Sequence, residues 1–246
     1  NHPDHCHELT LSYINKEIPI IVPDFVTNST GLLIEDLGFK NINNMVFENQ
    51  YQFRDTDLIF TIFKSGDLRE DSGFYFSVGK FKCLLTVDAN NLNFLRLPKV
   101  DLFASSFAGG AHGYPLNCEN YELKDRKKMI IMDKNFIKQT KFKYLEKIKP
   151  TYFLPYAGFF KEKLKRDEMY IKYNKKNETT DYVSICEKYN INLLDPEKEN
   201  IFEFSNNKTF KASKYSGKFF KDLSSDEYLK YFTTKYQKID FDYIKK

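Results

Sequence analysis

At 246 residues and 29.2 kDa the chain is long enough to bury a sizeable core, as one large domain or two small ones. Its 41% hydrophobic and 29% charged fractions exclude wholesale disorder, and 38 basic against 34 acidic residues are too evenly balanced for wrapping nucleic acid. No apolar run reaches the roughly 18 residues of a membrane span, and the scattered Cys6, Cys83, Cys118 and Cys186 form no CxxC pair, against a zinc ribbon or a dense disulfide framework. The expectation is a cytoplasmic protein with no nucleic-acid and no membrane partner, compatible with an anionic small-molecule substrate.

The chain opens on Asn1-His2-Pro3-Asp4-His5-Cys6-His7, which holds three of its four histidines. Two imidazoles and a carboxylate around a rigid proline suit a metal. The spacing sends His2 to one side of a turn and Asp4 and His5 to the other, and neutral imidazole with carboxylate is the usual donor set for zinc, iron or manganese. The plain alternative is a solvated start.

A short helix is expected over Glu8 to Asn15, then a buried strand over Ile18 to Val22, a helix from Asn28 to Gly38, and a segment from Phe39 to Val46. Asp57 to Phe63 reads as a strong strand. Gly73 to Val78, the turn Gly79-Lys80, and Phe81 to Val87 form the clearest hairpin, whose second strand delivers Asp88. A carboxylate at a strand end faces either a site or its own turn. Asp67 sits in a polar loop with Arg69, Glu70 and Asp71, by default a solvated charge run.

Val100 to Ala104 is a further strand, ending in the loop that carries Gly109, Gly110 and His112. That loop lacks the order of a phosphate-binding turn, so its glycines suit either a structural turn or close backbone approach to a ligand. Lys127 to Ile148 is mostly helical behind the basic cluster Arg126-Lys127-Lys128, and Thr151 to Leu154 is a strand stopped by Pro155. Helices are expected over Thr180 to Tyr189 and over Ser224 to Phe232, the second with a capping box of Ser224 and Glu227. Strands with interleaved helices imply sheet layers covered by helices.

Several segments together resemble a known family, the metallo-β-lactamase-fold domain of CMP-N-acetylneuraminate hydroxylase and its bacterial relatives. They are the opening histidine box, Asp71-Ser72-Gly73, Thr86-Val87-Asp88, Arg96-Leu97-Pro98, the run Ser106 to Pro115 (SFAGGAHGYP), Arg126-Lys127-Lys128, Pro155 to Phe160 (PYAGFF) and Tyr170-Ile171-Lys172. They occur in the family's order over roughly residues 1 to 177, with a weaker echo to about Phe204. The resemblance implies an α/β fold, an α+β sandwich of metallo-β-lactamase-like αββα type. It places that domain over residues 1–204, with a helical extension packed on it over 205–246.

The resemblance also assigns roles. His2, Asp4, His5 and Asp88 take metal-ligand positions, with Asp67 as a substitute ligand where the family often carries a histidine. Asp4, His112 and Tyr156 are the implied catalytic residues, while Arg96, Arg126 and Lys128 are expected contacts to substrate phosphate or carboxylate on charge grounds alone. Iron is the expected metal, with zinc or manganese as alternatives. The box normally begins with a histidine before the position of Asn1, so that histidine, and the fold's first strands, are expected in an upstream part of the same protein. The family's Rieske iron-sulfur cluster has no CxH and CxxH ligand pair here, so it is expected in a missing segment or a partner, such as an electron-transfer protein. Ala157 stands where general metallohydrolases carry a final histidine, a loss the hydroxylases share. The implied activity is a metal-dependent monooxygenase acting on a nucleotide-activated or other acidic sugar. A metallohydrolase of phosphoester, ester or lactone bonds and a noncatalytic degenerate domain are the alternatives.

Overall fold

The structure is a computed structural model. It describes residues 6–66, 68–109, 113–159, 162, 167–199 and 201–215, with four further positions between 224 and 230. The fold is mixed α/β. Its centre is a seven-stranded mixed sheet in the spatial order β3 (Gln50–Gln52), β4 (Leu58–Lys64), β5 (Ser72–Val78), β6 (Phe81–Leu85), β7 (Leu102–Ser105), β8 (Tyr152–Pro155) and β9 (Asn192–Leu193). The first four strands run antiparallel to their neighbours, and β6 to β9 are parallel.

Alternation along the central strands sorts the core to two faces, as the two-residue period of a strand requires. Leu84, Phe103 and Phe153 point to one face, where they meet Tyr144, Leu145 and Ile148 of the long helix α3 (Leu123–Ile148) and Ile185 and Cys186 of α5 (Val183–Tyr189). Cys83, Leu102, Tyr152 and Leu154 point to the other, where an antiparallel hairpin of β10 (Ile201–Phe204) and β11 (Phe210–Ser213) lays Phe202, Phe204 and Phe210 against them.

Before the sheet, α1 (Glu8–Ser12) is capped by His7, whose Nδ1 accepts from the Thr10 backbone at 3.3 Å. The expected first strand is shorter, later and less buried than the sequence suggests: β1 (Ile20–Pro23) buries only Val22 fully. It stays outside the main sheet and pairs in parallel with β2 (Ile42–Met45) across α2 (Ser29–Asp36).

Other boundaries also shift. Helix α3 begins at Leu123, four residues before expectation, because Glu122 accepts from the Asp125 and Arg126 amides and Asp125 favours the positive first turn. β8 ends at Pro155 as expected, with the proline itself as the last residue of the strand, opposite Ser105. Thr179–Tyr182 forms a 3-10 turn leading into α5, and α4 (Glu168–Tyr173) was not foreseen. The helical extension expected from residue 205 is corrected at its start: Phe210–Ser213 is strand, and its hairpin pairs across position 204. Further on, Ser224 and Glu227 do make both reciprocal capping bonds, at 2.9 and 3.2 Å. Among the described residues no helix is long and apolar enough to cross a membrane.

Candidate functional site

Strand direction gathers the site. β4 and β6 both run antiparallel to β5, so they point the same way, and β7 and β8 run parallel to β6. The carboxyl ends of β4, β6, β7 and β8 and the start of β5 therefore share one rim. Loops leaving the carboxyl ends of parallel strands are the usual place for ligands in open α/β sheets.

The Asp88 turn lies at the centre of that rim. Strand β6 ends at Leu85, three residues before Asp88 and earlier than the sequence suggests, because the chain turns where the Ser106 hydroxyl takes the Val87 carbonyl. Asp88 is half-buried, and its backbone carbonyl accepts from the Asn90 amide at 2.8 Å and from Arg69 Nη2 at 3.1 Å. Arg69 also lies 3.3 Å from the buried carboxylate of Asp71, tying the loop after β4 to the Asp88 turn. A second tie is the Gly66 amide on the Asn91 carbonyl, 2.8 Å.

Beneath the turn lies a fully buried lysine. Lys141 stands on the buried stripe of α3 with Tyr144, Leu145 and Ile148, and its Nζ donates to Asn90 Oδ1 and, at 2.7 Å, to Ser105 Oγ. Ser105 in turn accepts from the Thr86 hydroxyl at 2.8 Å. Burial pushes the Lys141 ammonium down to about 7, against the opposing pull of Asp88.

Tyr156 follows β8 and is held by its amide on the Ser105 carbonyl, 3.1 Å. Burial raises its phenol above the usual tyrosine range, and the Val87 backbone and Asp88 both act on it. Tyr156 and Asp88 thus lie on the same rim, after β8 and β6, the two strands that flank β7. The loops Phe107–Gly109 and Tyr156–Phe159 pack back to back: the Phe107 and Phe159 rings lie 4.9 Å apart, and a side chain at Gly158 (φ +123°) would meet the Ala108 methyl at 2.5 Å. Buried Asn177 and Tyr182 lock the first loop by donating to the Phe107 carbonyl at 3.1 and 2.9 Å.

The remaining expected residues divide. His2, Asp4, His5, Asp67 and His112 lie outside the described residues. Arg96 pairs with Glu48 beside an open cleft of about 560 Å³ walled by Phe63 and Tyr75. Half-buried Arg126 donates from Nη1 to the Leu116 carbonyl at 2.7 Å and so anchors the loop before α3. Lys128 is exposed, and its Nζ lies 3.7 Å from Asp125. Sequence reasoning missed Arg69, Asn90, Ser105 and Lys141. One signal was available for the last: Lys141 falls on the Ile130, Tyr144, Leu145, Ile148 stripe, where an apolar residue is the norm.

Among the described residues no group of three His, Cys, Asp or Glu side chains is placed to hold a metal. Asp88, half-buried at an open rim, fits one member of an imidazole-carboxylate set, and His2, Asp4, His5 and Asp67 supply the donor types that iron, zinc and manganese share.

By sequence the chain is similar to cytidine monophosphate-N-acetylneuraminic acid hydroxylase from Danio rerio, 30% identical over 206 residues, covering 78% of this chain and 34% of the relative. The Mus musculus hydroxylase is 31% identical over 185 residues, covering 72% of this chain and 32% of the relative. The chain spans about a third of the length of these curated relatives. No family model matches it. Among solved structures, CmlA, a diiron beta-hydroxylase from Streptomyces venezuelae, superposes with a TM-score of 0.46 at 13% identity, covering 78% of this chain and 41% of that one, a likeness too loose to assign a fold.

Proposed function

We propose that the chain is the metal-holding, substrate-facing part of a hydroxylase that inserts oxygen into a C–H bond of a nucleotide-activated or other acidic sugar, on a metallo-β-lactamase-like fold. The observation that carries this reading is the placement of Asp88 and Tyr156 on one rim, in a chain similar by sequence to relatives named as hydroxylases of a cytidine-monophosphate sugar acid.

In this reading His2, Asp4, His5 and Asp88 hold iron, with Asp67 as a further ligand, and the metal supplies dioxygen activation when bound. The chain's own residues do the rest. Tyr156, whose phenol burial keeps protonated to still higher pH than usual, offers a hydroxyl on the rim that carries Asp88 for a hydrogen bond to the reacting group. The packed Phe107–Gly109 and Tyr156–Phe159 loops would hold that side of the rim in place. Arg126 acts by holding the Leu116 loop, and Arg96, which borders an open cleft, would exchange Glu48 for a substrate anion. Oxygen balance requires one atom of dioxygen to enter the C–H bond and the other to leave as water. That consumes two electrons and two protons from an external reductant, the role of an electron-transfer partner.

The test is iron content together with oxygen-dependent hydroxylation of an acidic nucleotide sugar in the presence of a chemical reductant. Turnover that needs iron, oxygen and reductant supports the reading. A chain that carries zinc alone and stays inactive with every reductant overturns it.

A further inference from the structure

Lys141 is buried without being apolar, at a helix position where methionine or leucine would keep the packing. Removing an ammonium from water is costly, and a hydrophobic replacement of a buried ion is often neutral or stabilising. The partners explain what the lysine does there. Its two acceptors are Asn90, two residues past Asp88, and Ser105, the last residue of β7, itself bonded to Thr86 just past the end of β6. One side chain from α3 therefore ties together the ends of two adjacent parallel strands and the turn that carries the candidate ligand.

We propose that Lys141 is the positioning residue of the Asp88 turn, holding Asn90 and Ser105 so that the Asp88 carboxylate is presented at the rim for a divalent cation. This rests on the reading of Asp88 as a metal ligand. Packing alone would need no acceptors in the turn, whereas a rim assembled from separate loops needs a rigid support under each ligand. Arg69 braces the same turn from the other side through the Asp88 carbonyl.

The experiment uses the full chain and Mn(II) alone, with free metal followed by electron paramagnetic resonance. The Asp88 and Asn90 amide resonances of the metal-free protein are followed by NMR. K141M is expected to fold, to shift both resonances, and to weaken Mn(II) binding roughly ten- to hundredfold, the usual effect of losing a group that supports a ligand. N90A is expected to do the same, and K141M/N90A to bind no more weakly than the weaker single variant. Should K141M fail to fold, N90A decides the question from the other end of the contact. If D88N loses Mn(II) while K141M and N90A bind it like the parent, the positioning role is overturned and the metal reading stands. Weakened binding with unmoved Asp88 and Asn90 resonances also overturns it. A parent chain that binds no Mn(II), or a D88N variant that binds it normally, removes Asp88 as a ligand and this inference with it.

Discussion

Replacing Lys141 by methionine is expected to raise stability at neutral and mildly acidic pH and to flatten its dependence on pH above neutrality. In the unfolded chain the lysine titrates near 10.5, while burial lowers it to about 7 in the fold. Between those values the unfolded state binds more protons, so the parent gains stability as pH rises from about 7 to about 10.5. Below both values the cost of the buried ammonium is fully present. At about 1.4 kcal/mol per pH unit, that interval gives a ceiling of about 5 kcal/mol. Methionine forfeits the bonds from the charged ammonium to Asn90 and Ser105, each worth about 1.5–2 kcal/mol net, so a gain of roughly 1–2 kcal/mol near pH 6 is expected. The assay is urea unfolding of both proteins at about pH 6, 8 and 10, scored as the difference between them so that groups common to both cancel. The difference should shrink steadily with rising pH. Parallel curves, with the two proteins offset equally at every pH, would refute the reasoning.

Other outcomes follow from the packing around the rim. G158A should cost roughly 2–4 kcal/mol, because the backbone at φ +123° disfavours any side chain and the new methyl would meet Ala108 at 2.5 Å; adding A108G should restore only the steric share, as read by urea midpoints. Y182F should cost about 1 kcal/mol by losing its bond to the Phe107 carbonyl, with no change in secondary structure by circular dichroism. Ellman's reagent at mildly alkaline pH should titrate Cys6 and Cys118 in the native chain and spare Cys83 and Cys186, whose thiols burial pushes up to about 12. Denaturant should release the remaining two.

Local patterns made the centre of the fold readable. The Asp57 to Phe63 run, the Gly79-Lys80 turn and the stripe from Ile130 to Ile148 carry two-residue and helical periods strong enough to place β4, the β5–β6 hairpin and α3. What stayed hidden depends on distant partners. β9 has two residues and exists because β8 offers it an edge, and β10 and β11 are aromatic segments stabilised against Tyr152 and Phe81. The site shows the same division. Asp88 and Tyr156 could be named from motifs, and strand direction places them on one rim. Lys141 showed one sign, its place on the apolar stripe of α3, but its role stayed hidden because it comes from reaching through the core to a turn some fifty positions earlier in sequence. Arg126 and Lys128 read alike as basic residues, yet one serves the Leu116 carbonyl and the other faces solvent.

The most direct test of the hydroxylase reading supplies the iron-loaded chain with an acidic nucleotide sugar, a chemical reductant and isotopically labelled dioxygen, and weighs the product by mass spectrometry. The expected product is heavier by one labelled oxygen atom, absent in D88N and absent without reductant. A product formed without dioxygen, or carrying oxygen from water alone, would contradict it.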